Sequence, residues 1–487
     1  MACHHGLGLA DDDEAVRQLG GEEAYRQLQD LRRAMAPLAR VAEVTPFAAL
    51  RSDAAAAVTI GRSVPRMAAA AARAAIEDPR QAAGLPELAD GFAATMRRAG
   101  VTNEFLTRLM NLECFVISGC LAEETAAAAM AYLFAERSRE GAVYDYPRGG
   151  AMALCEALQR GAEKRGASFH LNTRVARILH TDGTATGVEL ANGRRIDARI
   201  AVVTGISAWD TLRLLGGGEG GAAQRDPAIA TLAEASGAAQ PLESFLHLHA
   251  LVPAHALPPS NRGLADACLD TPARAFEAAG AGPGGSDALN VHYLHVRDWS
   301  GGVDAPLNVV NVSVPTALDP SASSDPNMHV LHAYGAANES FSLYESELPD
   351  GKSSASAYAS SAAYQELKRQ RKALLYESLG TIFGSDIEAH VAHEWVGTPL
   401  TQRRFVNRYR GAYAAGRDVT RLNLFDASKP PGVDTSLKGL WACGDCVSPG
   451  VGVPAAVASG IAAANRIAGV QKHWTMLDAL SQLGYNV

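Results

Sequence analysis

Lysine is scarce in this chain: seven among 487 residues, although basic residues of both kinds number 44. The formal net charge is −8 and no basic cluster stands out, which excludes a nucleic-acid partner recognised through cationic patches. Aromatic residues make up only 6% and charged residues 20%, against 47% hydrophobic. That balance belongs to a folded domain and excludes a mainly disordered, collagen-like or polytopic membrane chain. Cysteine is sparse too. Seven, an odd number scattered over a long chain, make no disulfide framework and point to a reducing compartment. Long apolar runs are missing. The longest uncharged stretch, 446–465, has the length of a membrane span, but Pro449, Pro454, Gly450, Gly452 and Gly460 make it a loop feeding a buried helix. The opening Met1-Ala2-Cys3-His4-His5 has no apolar core and runs into Asp11-Asp12-Asp13-Glu14, so no secretory signal is expected.

What is present divides into segments. Residues 11 to about 139 read as helical, with Ala-rich stretches such as 64–76 and 124–136 that bury one stripe and expose charge. The more apolar stretch 106–119, with Phe105 just before it and Leu109, Leu112, Phe115 and Ile117 within it, is a buried helix or part of a pocket wall. Tyr146-Pro147-Arg148-Gly149-Gly150 leads into a helix over 151–165, and paired glycines there allow close backbone approach. A β-meander is expected over 168–180, 185–190 and 195–203, turning at Asp182-Gly183 and Asn192-Gly193. Strand-like runs at 244–252, 288–296 and 307–314 lie in a second, sheet-containing domain extending to about residue 394.

The segment that carries chemistry is Gly439-Leu440-Trp441-Ala442-Cys443-Gly444-Asp445, a glycine turn with Gly450, Val451, Gly452 and Val453, and a helix from Pro454 to about 468. A strand ending in Gly-Asp, a turn and a helix begun by proline bring a carboxylate and free backbone N–H groups to one spot. That suits a flavin: Asp445 can accept from a ribityl hydroxyl, and the helix N-terminus stabilises negative charge on the reduced isoalloxazine ring.

These residues, together with Cys114-Phe115-Val116-Ile117-Ser118-Gly119, Tyr146 to Gly150, His247-Leu248-His249, Asp304-Ala305-Pro306-Leu307-Asn308, His329-Val330-Leu331-His332-Ala333-Tyr334, Val396-Gly397-Thr398-Pro399-Leu400-Thr401 and His473-Trp474-Thr475-Met476, resemble a known family in order. It is the carotenoid isomerase and phytoene desaturase group of FAD-dependent enzymes, and the nearest branch resembles the prolycopene isomerase-like proteins. The resemblance implies a mixed α/β (α+β) fold: an FAD/NAD(P)-binding-like domain, N-terminally incomplete, with a second sheet-and-helix substrate domain. On that basis residues 1–140 form a helical region of the substrate- or membrane-facing domain, 141–235 and 396–487 parts of the FAD-binding domain, and 236–395 the substrate-binding domain. It also implies FAD used in reduced form, a hydrophobic polyene substrate, a peripheral membrane contact and a plastid. The adenine-edge contact falls on Val175, the Gly-Asp pair on Gly444 and Asp445, and the flavin-ring loop on Gly450, Val451, Gly452, Val453 and Pro454.

The main departure is at the front. The family opens with a strand, a Gly-x-Gly-x-x-Gly turn and a helix that binds the FAD pyrophosphate. Here Met1 falls after that unit, as if about a hundred residues, several times the ~30 of one βαβ unit, stood before it. Gln402 stands where relatives often have histidine. Desaturases and retinoid-type saturases share the same motifs, and a non-catalytic carotenoid-binding remnant is the reading of a different class. Other groups take structural readings. Cys443-x-x-Cys446 lacks a second pair for zinc. His247 and His249 share one strand face as packing or pocket lining, with a ligand pair as the alternative. Arg403, Arg404, Arg408 and Arg410 read as a solvated face, with an anion site as the alternative. No metal ligand set and no catalytic side chain are assigned.

Overall fold

The computed structural model describes residues 2–4, 13–44, 47–51, 53–77, 79, 84, 87–88, 90–138, 146–216, 226–238, 241–257, 289, 291–336, 338–345, 361–413, 433–447 and 452–485. Helices α1 (Asp13–Glu43), α2 (Ala55–Gly61), α3 (Val64–Glu77), α4 (Phe92–Arg98), α5 (Glu104–Ser118) and α6 (Ala127–Ser138) form the helical region. Their shared core includes Leu28, Leu31, Met35, Phe92, Leu106, Met110 and Met130, all fully buried. Each such side chain contributes roughly 1.5–3 kcal/mol by leaving water. Local chemistry sets the ends of α5: the Asn103 side chain accepts from the Leu106 N–H, and Gly119 closes the helix in the left-handed region at φ 73°.

Helix α7 (Gly150–Glu163) precedes the three-stranded meander of β2 (Val175–Thr181), β3 (Thr184–Leu190) and β4 (Arg195–Asp197). Asp182 and Gly183 both have positive φ, the backbone of a mirror-image two-residue hairpin turn, which is why Asp-Gly stands there. The expected third strand of the meander is shorter than the sequence implies. The chain leaves the meander after Asp197, and β5 (Val202–Thr204) pairs in parallel with β11 (Leu440–Ala442). Alternation can mark 195–203 as extended but cannot choose its partner. Helices α8 (Ala208–Leu214) and α9 (Pro227–Ala238) follow β5.

A six-stranded antiparallel sheet runs in the order β1 (Ala2–His4), β7 (His292–Val296), β8 (Val309–Ser313), β9 (Met328–Ala336), β6 (Phe245–Pro253) and β10 (His393–Gly397). Strand β9 is additional to the runs read from sequence. One face is apolar: Leu248 faces Ala333, Ala250 faces Leu331, and Val312 faces Ala333 from the other side. Helix α10 (Ala362–Phe383) covers that face with Leu375, Tyr376 and Leu379. The opposite face is polar and aromatic, and it carries the site. Helices α11 (Pro399–Val406), α12 (Gly452–Ala468) and α13 (Val470–Gln482) complete the described chain.

Two hydrogen-bonded groups tie these parts together. Asn465 of α12 donates to the Ala48 and Leu50 carbonyls, and fully buried Arg51 donates to the Asn465 carbonyl at 2.7 Å. Gly149, with φ 81°, donates its N–H to Asp319 at 2.9 Å, joining the Tyr-Pro-Arg-Gly-Gly segment to the loop before β9. No helix among the described residues is long and apolar enough to cross a membrane.

Candidate functional site

Strands β5 and β11 end side by side, with the Cys443 N–H donating to the Thr204 carbonyl at 2.9 Å. Ligands gather outside the carboxyl ends of parallel strands, where the chain must turn and leaves backbone groups free. The turn opens with Gly444 at φ 102°, and a Cβ there would stand 3.4 Å from the Gly205 carbonyl oxygen. Glycine is required by the conformation, whereas the approach to Gly205 is an ordinary contact distance. The Gly444 N–H donates to the fully buried Ser459 hydroxyl at 2.8 Å, and Ser459 donates to the Ala456 carbonyl at 2.7 Å. Ser459 therefore pins α12 to the end of β11. The first turn of α12 faces outward: Val453 is 58% exposed, and the N–H groups of that turn have no helical acceptor.

Asp445 is half-buried and ion-paired with Arg408. Arg408 also donates to the Tyr413 carbonyl at 2.7 Å and reaches the Cys446 sulfur at 3.8 Å. Burial opposes the charge on Arg408, but the bond to Asp445 and its negative charge outweigh this and hold the guanidinium above its ordinary pKa. The same surroundings push the Cys446 thiol up to about 12, burial first and the Asp445 charge second. A thiol so held is a weak nucleophile and a poor redox partner.

Arg408 also lines a cavity of about 490 Å³, within the size range of small-molecule sites. Phe115, Val116 and Ile117 from the end of α5 form its apolar wall. Phe245 and Tyr413 meet edge to face at 4.4 Å on a second side. The opposing wall is the polar face of the large sheet, with His247, His332, Tyr334 and Asn311. Gln402 of α11 lines the cavity as well.

Of the residues expected at a cofactor, Gly444, Asp445, Gly452, Val453 and Pro454 belong to one strand–turn–helix unit. Val175 is half-buried at the start of β2 on the separate meander sheet, and packs against the core that includes Leu440 of β11. Gly450 and Val451 lie outside the described residues. The basic group needs correction, because Arg408 is not part of a solvated face. Asn407 ends α11 in the left-handed region at φ 55°, and the redirected chain carries Arg408 inward to Asp445. Sequence reading also passed over Tyr334, Tyr413 and Ser459. For Tyr334 a signal existed: alternation along the His329 to Tyr334 motif puts His332 and Tyr334 on one face.

Comparison with known proteins adds ancestry to this geometry. The family described as flavin containing amine oxidoreductase matches residues 10–207 and 255–468. The chloroplastic prolycopene isomerase of Arabidopsis thaliana is 26% identical over 398 residues, covering 81% of this chain and 58% of that protein. Prolycopene isomerase 1 of an Oncidium hybrid cultivar is 27% identical over 390 residues, covering 80% and 57%. A phytoene desaturase of Cercospora nicotianae is 25% identical over 365 residues, covering 66% and 54%. The chain spans a little over half the length of these curated relatives.

Proposed function

Because the chain belongs to the flavin-containing amine oxidoreductase family, we propose that it is an FAD-dependent enzyme of carotenoid-like polyenes, acting as a prolycopene isomerase-like cis–trans isomerase in a plastid. The likeness to a phytoene desaturase supports a desaturase-type oxidoreductase as the second reading. The observation that carries the proposal is Arg408, which pairs with Asp445 of the Gly-Asp turn and also lines the cavity, so that cofactor and substrate would meet across one side chain.

The residues fit the ribityl and isoalloxazine end of a flavin. Asp445 accepts from Arg408 through Oδ2, and its carboxylate would also accept from a ribityl hydroxyl. Gly444 leaves room for close backbone approach, and the first turn of α12 presents N–H groups where negative charge would collect. The flavin supplies reversible electron donation to a polyene, which has no carbonyl or leaving group for an acid–base pair to work on. This chain's own side chains bind and orient. Phe115, Val116, Ile117 and Phe245 exclude water from the polyene, and the Arg408 cation stabilises negative charge beside Asp445.

The test is an FAD titration of the purified chain followed by assay with a poly-cis carotene and chemically reduced FAD under anaerobic conditions. The expected result is one FAD per chain, affinity at least about tenfold weaker in Asp445→Ala, a difference of about 1.4 kcal/mol, and a product of unchanged mass and altered double-bond geometry. A product lighter by pairs of hydrogens establishes the desaturase reading instead. Failure to retain FAD, or equal affinity in the Asp445→Ala variant, overturns the proposed site.

A further inference from the structure

The sheet wall of the cavity holds a cluster that the flavin reading does not use. His247 and His249 alternate on β6, so both point to the same face. His332 on β9 lies directly across from His249, and Tyr334 directly across from His247. Two histidines two residues apart on one strand and a third on its antiparallel neighbour converge without any loop having to fold over them. His247 Nδ1 stands 3.0 Å from His332 Nε2. One ligand nitrogen from each of the three lies within 4.8 Å of the others. The His249 and His332 rings stack at 4.2 Å and 5°, so turning their in-plane lone pairs onto one point takes rotation of the rings.

The chemistry of the cluster is selective. Its neighbours by strand register are Trp395 beside His249, Gly397 beside His247 and Ser313 beside His332, none of them a carboxylate. Glu394 points to the other face, where Lys372 and Tyr376 hold it. An all-imidazole set suits zinc, copper, nickel or cobalt rather than calcium or magnesium, which demand oxygen ligands. Burial, reinforced by His249, lowers His332 to about 3 and His247 to about 4, so both are neutral and able to ligate.

We propose that His247, His249 and His332 form a site for one divalent transition-metal ion of the zinc type in the wall of the cavity. Three protein ligands leave a fourth position for water or for an oxygen atom of a cavity ligand, the arrangement of His₃ zinc sites. His247 and His332 line the cavity, which places that open position within reach of its contents. The inference does not rest on the flavin reading and can fail or succeed apart from it.

The test is zinc and cobalt(II) loading of the untagged full chain after chelator treatment, with metal counted by mass spectrometry after gel filtration. About one equivalent is expected, and cobalt should give the visible absorption of an imidazole-ligated ion. His332→Ala and His247→Ala are each expected to weaken retention at least about tenfold, with unchanged far-ultraviolet circular dichroism. His292→Ala, which alters the same cavity outside the triad, and a His4→Ala/His5→Ala double variant are expected to retain the full equivalent. Loss of metal in either control, no retention by the parent chain, or undiminished retention in both triad variants overturns the assignment. Should a triad variant fail to fold, His332→Gln replaces it, read by the same loss of the cobalt band.

Discussion

Replacing Arg408 by methionine tests the joint between cofactor turn and cavity. Methionine keeps most of the apolar stem and its packing while removing the guanidinium. Three contacts are lost: the ion pair with Asp445, the donation to the Tyr413 carbonyl at 2.7 Å, and the weak donation to the Cys446 sulfur at 3.8 Å, which adds little. A charge-assisted hydrogen bond is worth roughly 1.5–3 kcal/mol when buried, and an exposed ion pair roughly 0–1. The Arg408 and Asp445 side chains are 26% and 25% exposed, so the pair stands between these limits. We take about 1–2 kcal/mol for it, and roughly 0.5–1 for the Tyr413 bond. Urea unfolding of Arg408→Met should therefore show a loss of about 2 kcal/mol. The sharper measurement is a double-mutant cycle with Asp445→Asn. It should return a coupling of about 1 kcal/mol, above the ~0.3–0.5 kcal/mol within which independent sites add. FAD titration of the same variants should show affinity falling about tenfold in each single variant and little further in the double. If the coupling is no larger than for independent sites and FAD affinity is unchanged, the Arg408–Asp445 pair is not the bridge between cofactor and cavity.

Ser459→Ala removes the acceptor of the Gly444 N–H on a fully buried side chain. It should cost about 1–3 kcal/mol in urea unfolding and weaken FAD binding as the start of α12 loosens, whereas unchanged stability would show that Ser459 does not pin the helix. Low pH should destabilise the chain through the imidazole cluster. His247 and His332 take up protons near 4 and 3 when folded but near 6.5 when unfolded, so the unfolded state binds more protons. Stability should fall as pH drops from about 6.5 through about 4 and on towards 3, and His332→Gln should flatten that slope in unfolding measured at stepped pH. An equal slope in the variant would show that His332 is not responsible.

Much of the local structure is legible in the residues. Asp182-Gly183 demands positive φ and makes the β2–β3 hairpin, Asn103 and Gly119 bound α5, and alternation along 247–249 puts two histidines on one face. The Gly-Asp turn is legible too, because Gly444 tolerates a conformation that other residues avoid. Partnership is harder to read. The same extended pattern fits an antiparallel or a parallel neighbour, so β5 was expected in the meander and pairs with β11 instead. Arg408 gave no local sign of burial, since four arginines in a short stretch satisfy the pattern of a solvated face.

The order of the chemistry-bearing segments, the helical and strand periods and the membership in a flavin-containing family are properties of the sequence by itself. Each depends on neighbours within a few positions or on matching the chain end to end. The tertiary structure alone decided that Arg408 meets Asp445 from 37 residues away, that His332 lies 85 residues from its 3.0 Å contact with His247, and that Ser459 closes on Gly444. These contacts require strands and helices distant in sequence to pack against a shared core. Hydrophobic burial drives that packing without direction, and register and shape then select which polar groups meet.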